Sequence, residues 1–288
     1  MRKAITWLLG LGLLALGTGW TISSPPSAPE TAQSGDVDAG RLVFAAAGCA
    51  SCHTAPKAES TDAPILAGGK SFVSDFGTFF APNISSDKNV GIGSWSDVDV
   101  FHAITTGVSP DGKYYYPAFP SHSYALANTE DIWDLVAYLR DLPADTTPSQ
   151  AHDVGFPFNV RRGLWLWRTA FAPKDWVRPA DTPELERGRY LVEALGHCAE
   201  CHTPRNALGG FDQTRWMQGA PSPDGKGKVP ALQGLEWSAQ DIAYYLETGF
   251  TPDFDSAGGE MADVVQNTAK LSAEDRDAIA AYIKGLAP

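Results

Sequence analysis

The chain has four cysteines, and all of them lie in two copies of one five-residue pattern. Cys49 and Cys52 lie in CASCH, and Cys198 and Cys201 lie in CAECH, so a histidine follows each pair at once. Disulfides, redox dithiols and zinc sites also use paired cysteines. Disulfides and dithiols do not explain the two histidines, and a zinc site would have to join pairs that lie far apart in the chain.

The pattern C-x-x-C-H is typical of covalent haem c attachment. Two thiols one helical turn apart can bond to the two vinyl groups of one haem, and the imidazole of the next residue then faces the iron. The sequence therefore predicts two covalently bound haem c groups, with His53 and His202 as the proximal iron ligands.

The sequence around each motif recurs, which predicts two domains of one kind. The paired segments, first copy before second, are 38–53 and 186–202, 94–111 and 236–253, and 129–142 and 272–286. The last pair has the amphipathic spacing of a helix, and no segment shows the alternation of a strand. The expected fold is therefore all-α.

The boundaries of the expected helices also repeat. In each copy a serine precedes the second helical segment as its N-cap, and a glycine, Gly107 or Gly249, ends it in the left-handed conformation. Thr129 and Ser272 are the expected caps of the two closing helices.

These features resemble the class I cytochrome c family, in two tandem copies that cover about residues 36–145 and 184–288. The resemblance implies that the first and last helices of each domain cross and that one haem lies between them and the loops. It also implies that the carbonyl oxygens of Pro82 and Pro230 accept hydrogen bonds from the Nδ1–H groups of the proximal histidines. A distal ligand, usually Met, is implied in the loop before the last helix.

The phrases APNIS, GIGSWS and GVSPDGKYYYPAFP are similar to cytochrome subunits of membrane-bound alcohol and gluconate dehydrogenases. Those subunits usually carry three haem motifs, whereas this chain has two. The resemblance implies electron transfer in a respiratory chain, from a dehydrogenase or quinol complex to a downstream cytochrome or oxidase. No organic substrate is expected.

The two halves differ at the expected distal position. Met261 lies twelve residues after Gly249, in the place that the resemblance assigns to the ligand of the second haem. Met217 is a rival, in a segment that wraps the haem edge in the family. The equivalent position of the first half, twelve residues after Gly107, is occupied by Phe119, which cannot bind iron.

Three hypotheses follow for the first haem. His122 takes the iron, or the iron is open beneath Phe119, or a more distant group such as His102 or one of the tyrosines at 114–116 reaches it. An open iron would allow an alternative function, a haem enzyme that acts on a peroxide, a sulfur oxyanion or a small gas.

The N-terminus predicts export. A cationic MRK precedes nineteen uncharged residues, 4–22, with Trp7 and Trp20 near their ends. We expect segment 1–22 to be a membrane anchor, or alternatively a removed signal peptide, and 23–35 to be a tether. Either would place the haem domains in the periplasm, on the outer side of the inner membrane.

The net charge of the chain excludes one class of partner. The net charge of −12 argues against nucleic acid as a partner, because the phosphates would require a basic surface.

The segment 146–183 between the domains is rich in tryptophan and arginine, with Trp165, Trp167 and Arg168 among them. It is expected either to form an amphipathic helix on the membrane surface or to pack between the domains, with its arginines available to haem carboxylates.

Overall fold

The computed structural model describes residues 31–56, 58, 61, 63–222 and 227–286 of the 288-residue chain. The expected anchor, 1–22, and most of the expected tether lie outside the described residues. Within the described part of the chain, no helix is both long and apolar enough to cross a bilayer.

The first half consists of helices and one short hairpin. Its elements are α1 (Val37–Ala46), α2 (Cys49–His53), β1 (Ser71–Ser74), β2 (Gly77–Phe80), α3 (Asp97–Thr106), α4 (Ser121–Tyr124) and α5 (Thr129–Asp141). The two strands pair antiparallel, with Phe72 opposite Phe79. The all-α expectation missed this hairpin, because strands of four residues are too short to show a clear alternation.

The second half repeats this order after a linking helix, α6 (Leu164–Phe171). Its elements are α7 (Pro183–Arg189), α8 (Ala199–His202), β3 (Ala220–Pro221), β4 (Lys228–Val229), α9 (Ala239–Thr248), α10 (Glu260–Thr268) and α11 (Ala273–Lys284). A π-helical turn, Tyr190–Leu195, continues α7 toward the second motif. Helix α10 occupies the stretch expected to be a loop, so Met261 lies in the first turn of a helix.

The first and last helices of each half pack closely at a glycine. A Cβ atom at Gly40 of α1 would lie 1.9 Å from the carbonyl oxygen of Asp134 in α5. A Cβ atom at Gly188 of α7 would lie 2.1 Å from the carbonyl oxygen of Ala278 in α11. Both glycines therefore permit a backbone approach that no other residue allows, and the two halves share the same close contact.

The predicted helix boundaries are confirmed with one exception. Ser96 and Ser238 are N-caps that each form a reciprocal capping box, and Gly107 and Gly249 end the same helices with φ of 63° and 77°.

The closing helices differ at their N-termini. Ser272 is the N-cap of α11 and accepts a hydrogen bond from the backbone N–H of Asp275. The prediction for Thr129 is wrong by one position, because Asn128 occupies the N-cap and Thr129 is the first helical residue.

The linking helix α6 contacts both halves. Trp167 donates its indole N–H to the carbonyl oxygen of Leu208, at 2.7 Å, in the second half. Arg168 donates from its Nη1 atom to Ser121 Oγ, 3.1 Å away, in the first half. These contacts favour packing between the domains over the membrane-surface interpretation.

Candidate haem site

One continuous cavity of about 2470 Å³ runs through both halves of the described chain. Both C-x-x-C-H motifs contribute to its wall, through Cys49, Cys52, His53, Cys198, Cys201 and His202. Pockets for one small ligand usually measure roughly 300–1,000 Å³. The cavity therefore has room for two haem-sized groups, one at each motif.

Both motif histidines are held in the tautomer whose Nε2 atom can bind a metal. His53 Nδ1 lies 2.9 Å from the carbonyl oxygen of Pro82, and His202 Nδ1 lies 2.8 Å from that of Pro230. Because Nδ1–H donates to a carbonyl, the lone pair of each ring is on Nε2. Burial lowers the pKa of both imidazoles, against the smaller effect of these hydrogen bonds, which keeps the rings neutral.

The cysteines do not have the properties of a redox dithiol. Burial and the neighbouring thiol raise the pKa of Cys49 to about 12, and burial is the main cause that raises the pKa of Cys52 to about 11. In the second motif, burial and Cys201 raise the pKa of Cys198 to about 12. Reactive C-x-x-C pairs have a lowered thiol pKa instead. With their raised thiol pKa values, these pairs suit permanent thioether bonds better than redox cycling.

The two attachment loops lie against each other. His197, directly before Cys198, has its Nε2 atom 3.3 Å from the carbonyl oxygen of Ala47, two residues before Cys49. The Tyr124 hydroxyl donates to the same oxygen at 3.1 Å. No local sequence pattern indicates this contact of His197, since its partner is 150 residues away.

The structure brings one of the two candidate methionines to the cavity. Met261, in the first turn of α10, is part of the cavity wall. Met217 is completely buried in the protein core and is not among the described residues that line the cavity. Of the two, Met261 is in the better place to supply a thioether.

An aromatic cluster occupies the equivalent place in the first half. Phe119 lines the cavity, and its ring centroid lies 5.8 Å from that of Tyr115 and 5.7 Å from that of Tyr124. Tyr116 also lines the cavity, whereas Tyr114 and His102 are not among the described lining residues.

His122, predicted as a ligand of the first iron, lies at the contact between the two halves. His122 is not among the described lining residues, and its side chain is only 4% exposed. Its Nε2 atom lies 3.0 Å from Glu200 Oε1, in the second motif. The imidazole therefore faces the other half of the molecule, where it lies beside a carboxylate.

The Glu200 carboxylate contacts side chains of both halves, His122 in the first and Arg205 in the second. Burial alone would raise the pKa of its carboxyl, but Arg205 and then His122 outweigh burial and lower the pKa to about 2. Arg205 pairs directly with the other carboxylate oxygen. The carboxylate is therefore ionised at neutral pH, between the two cysteines of the second motif.

His152, in the linking segment, is a further cavity residue that the sequence did not indicate. Its Nδ1 atom accepts a hydrogen bond from the backbone N–H of Phe80 at 3.1 Å, and its ring lies 5.3 Å from that of Tyr116. A neutral ring that accepts at Nδ1 carries its proton on Nε2, which makes it a donor to an anion and not a metal ligand. His152 therefore suits a haem carboxylate.

Comparison with known proteins identifies the family. Residues 37–143 match the cytochrome c family, and residues 183–283 match the family described as cytochrome c oxidase, cbb3-type, subunit III. A protein of Cereibacter sphaeroides described as a dihaem cytochrome c-type is 49% identical over 290 residues, covering 99% of this chain and 98% of that protein. The chain belongs to the dihaem c-type cytochromes. This cytochrome carries two covalently bound haem c groups, one in each domain, and transfers electrons.

Two further relatives are subunits of larger enzymes. The cytochrome c subunit of gluconate 2-dehydrogenase from Pantoea cypripedii is 34% identical over 291 residues, which are 95% of this chain and 64% of that subunit. The cytochrome subunit of fructose dehydrogenase from Gluconobacter japonicus is 33% identical over 286 residues, which are 95% of this chain and 57% of that subunit. The relatives support electron transfer and not the alternative of a haem enzyme.

Proposed function

We propose that this cytochrome relays electrons between two haems of unequal potential, from a dehydrogenase or quinol complex to a downstream cytochrome or oxidase. The observation that carries the proposal is the difference between Met261 and Phe119 at corresponding positions of one cavity wall. The haem domains are 36–145 and 184–288, and 146–183 holds them together.

Each motif has a defined role in this proposal. Haem c supplies reversible one-electron chemistry when it is bound. Cys49 and Cys52 hold the first group by thioether bonds, and Cys198 and Cys201 hold the second. His53 and His202 would bind the irons through Nε2, and Pro82 and Pro230 orient the two rings, as the distances of 2.9 and 2.8 Å support.

The distal side sets the direction of transfer. A methionine thioether opposite histidine raises the potential of a haem. Met261 provides this ligand in the second domain, whereas Phe119 leaves the first domain without it. With both haems bound, the first domain would have the lower potential, so electrons would enter there and leave from the second domain.

The proposed partners and location follow from the relatives and from the N-terminus. Subunits of gluconate and fructose dehydrogenases support a dehydrogenase as the electron donor. The uncharged run at 4–22 after MRK supports a periplasmic site of action, with 1–22 as an anchor in the inner membrane.

Replacement of Met261 by alanine tests the proposal. The oxidised variant should lose the near-infrared charge-transfer band of thioether-ligated ferric haem. The potential of one haem should fall by on the order of 0.1 V, a fraction of the roughly 0.8 V that axial ligands span. Met217→Leu is the matched control and should keep the band. A band that survives Met261→Ala and disappears in Met217→Leu contradicts the assignment.

A further inference from the structure

Helix α10, which carries Met261, forms ion pairs and a hydrogen bond with the first domain along one face. Glu260, Asp263 and Asn267 are spaced three and four residues apart, so they project from the same side of the helix. Lys70 of the first domain places its Nζ atom 2.5 Å from Glu260 Oε2 and 3.1 Å from Asp263 Oδ2. One cation therefore holds both carboxylates of the first turn.

The same face also touches the first haem motif. Asn267 donates its side-chain amide to Ser51 Oγ at 2.6 Å. Ser51 lies between the two cysteines of CASCH. The helix that carries the distal residue of one domain is thus bonded to the attachment motif of the other.

The N-terminus of α10 needs such an external contact. Gly258 and Gly259 precede it. Gly259 is the N-cap and has no side chain that could accept hydrogen bonds from the free N–H groups of the first turn. Glycine loses more conformational entropy on ordering than any other residue, so this first turn has a strong tendency to fray. Met261 is its second residue.

We propose that Lys70 and Ser51 are positioning residues for the distal thioether of the second haem and form an interdomain latch on α10. The inference rests on the proposed assignment of Met261. The first domain thereby controls the ligand strength, and so the potential, of a haem that it does not bind.

The surroundings of Lys70 support this role. Its side chain is 19% exposed, and the paired carboxylates of Glu260 and Asp263 are 68% and 43% exposed. Ion pairs of this kind contribute little to overall stability. Loss of the latch should therefore release the first turn of α10 while both domains stay folded.

The test uses the full dihaem protein with Lys70 replaced by glutamine. The thioether charge-transfer band should weaken, and added imidazole should bind the second ferric haem about threefold more tightly, which corresponds to about 0.7 kcal/mol of lost thioether ligation. Asp263→Asn removes the other side of the pair and should shift both readouts in the same direction. Lys70→Arg keeps the charge and should restore most of the band.

Arg187→Gln is the matched control. It breaks the pair between Arg187 Nε and Asp275 Oδ1, 2.7 Å apart, within the second domain and away from α10. This variant should leave the band and the imidazole affinity unchanged. An equal change in Arg187→Gln and Lys70→Gln would show a general structural effect and would overturn the latch.

Comparison with Met261→Ala separates the two proposals. A band that is lost in Met261→Ala but unchanged in Lys70→Gln overturns the latch and leaves the ligand assignment intact. A band that survives Met261→Ala overturns both.

Discussion

The proposed distal positions of the two domains differ in a single residue. Met261 and Phe119 both lie in the cavity wall, at equal distance in sequence from the glycines that end α9 and α3. One side chain offers a sulfur lone pair, and the other offers only carbon. A single difference between the two repeats therefore accounts for the proposed difference in redox potential between the haems.

Phe119→Met should supply the missing thioether. If position 119 faces the first iron as 261 faces the second, the oxidised variant gains a second charge-transfer band of about equal intensity, and the lower of the two potentials rises. Near-infrared absorption of the oxidised protein measures this directly.

Phe119→Leu is the control for the Phe119→Met variant and should leave the band of the wild type unchanged. A Phe119→Met spectrum identical to that of wild type would mean that position 119 does not face the first iron.

Residue-level prediction from the sequence succeeded where the signal was local and failed where a distant partner decided the outcome. The position of Met261 in the cavity wall follows from its spacing to Gly249. The contact between His122 and Glu200 could not be foreseen, because the two residues belong to different domains and lie far apart in the chain. His152 and His197 were missed for the same reason, since their contacts arise only when the segments pack.

At the scale of elements, the close contact between the first and last helices sets the geometry of each domain. Gly40 and Gly188 stand at equivalent positions of α1 and α7, and each leaves room for the backbone of the partner helix. The repeat predicted these helices and most of their caps. It did not predict α10, because Gly258 and Gly259 precede it, or the hairpin, because its strands are short.

Gly40→Ala should destabilise the first domain by about 2 kcal/mol or more. The new methyl group would lie 1.9 Å from the carbonyl oxygen of Asp134, so α1 and α5 must move apart. Overpacking of a core costs typically about 1–3 kcal/mol. Urea unfolding followed by far-ultraviolet circular dichroism measures the change in the free energy of unfolding.

Gly155→Ala is the control for Gly40→Ala, because nothing lies within 4 Å of the added methyl group, φ at Gly155 is outside the left-handed region and Gly155 is not among the described residues that line the cavity. It should change stability by less than about 1 kcal/mol, in the stabilising direction. Equal stability of Gly40→Ala and wild type would contradict the close contact.

At the scale of the whole molecule, the domains are joined at their haem motifs. Ser51 of the first motif contacts α10, Glu200 of the second motif contacts His122, and His197 contacts Ala47. These polar contacts link residues far apart in the chain, so the sequence predicted two domains but not how they meet. Their arrangement brings the two attachment loops together, which favours transfer between the haems.

A potentiometric titration of the wild-type protein, followed by visible and near-infrared absorption, tests whether the two haems have unequal potentials. We expect two separate one-electron steps of equal amplitude, with the thioether band disappearing only in the step of higher potential. A single transition in which both haems titrate together, or a thioether band divided between the two steps, would contradict two haems distinguished by one thioether ligand.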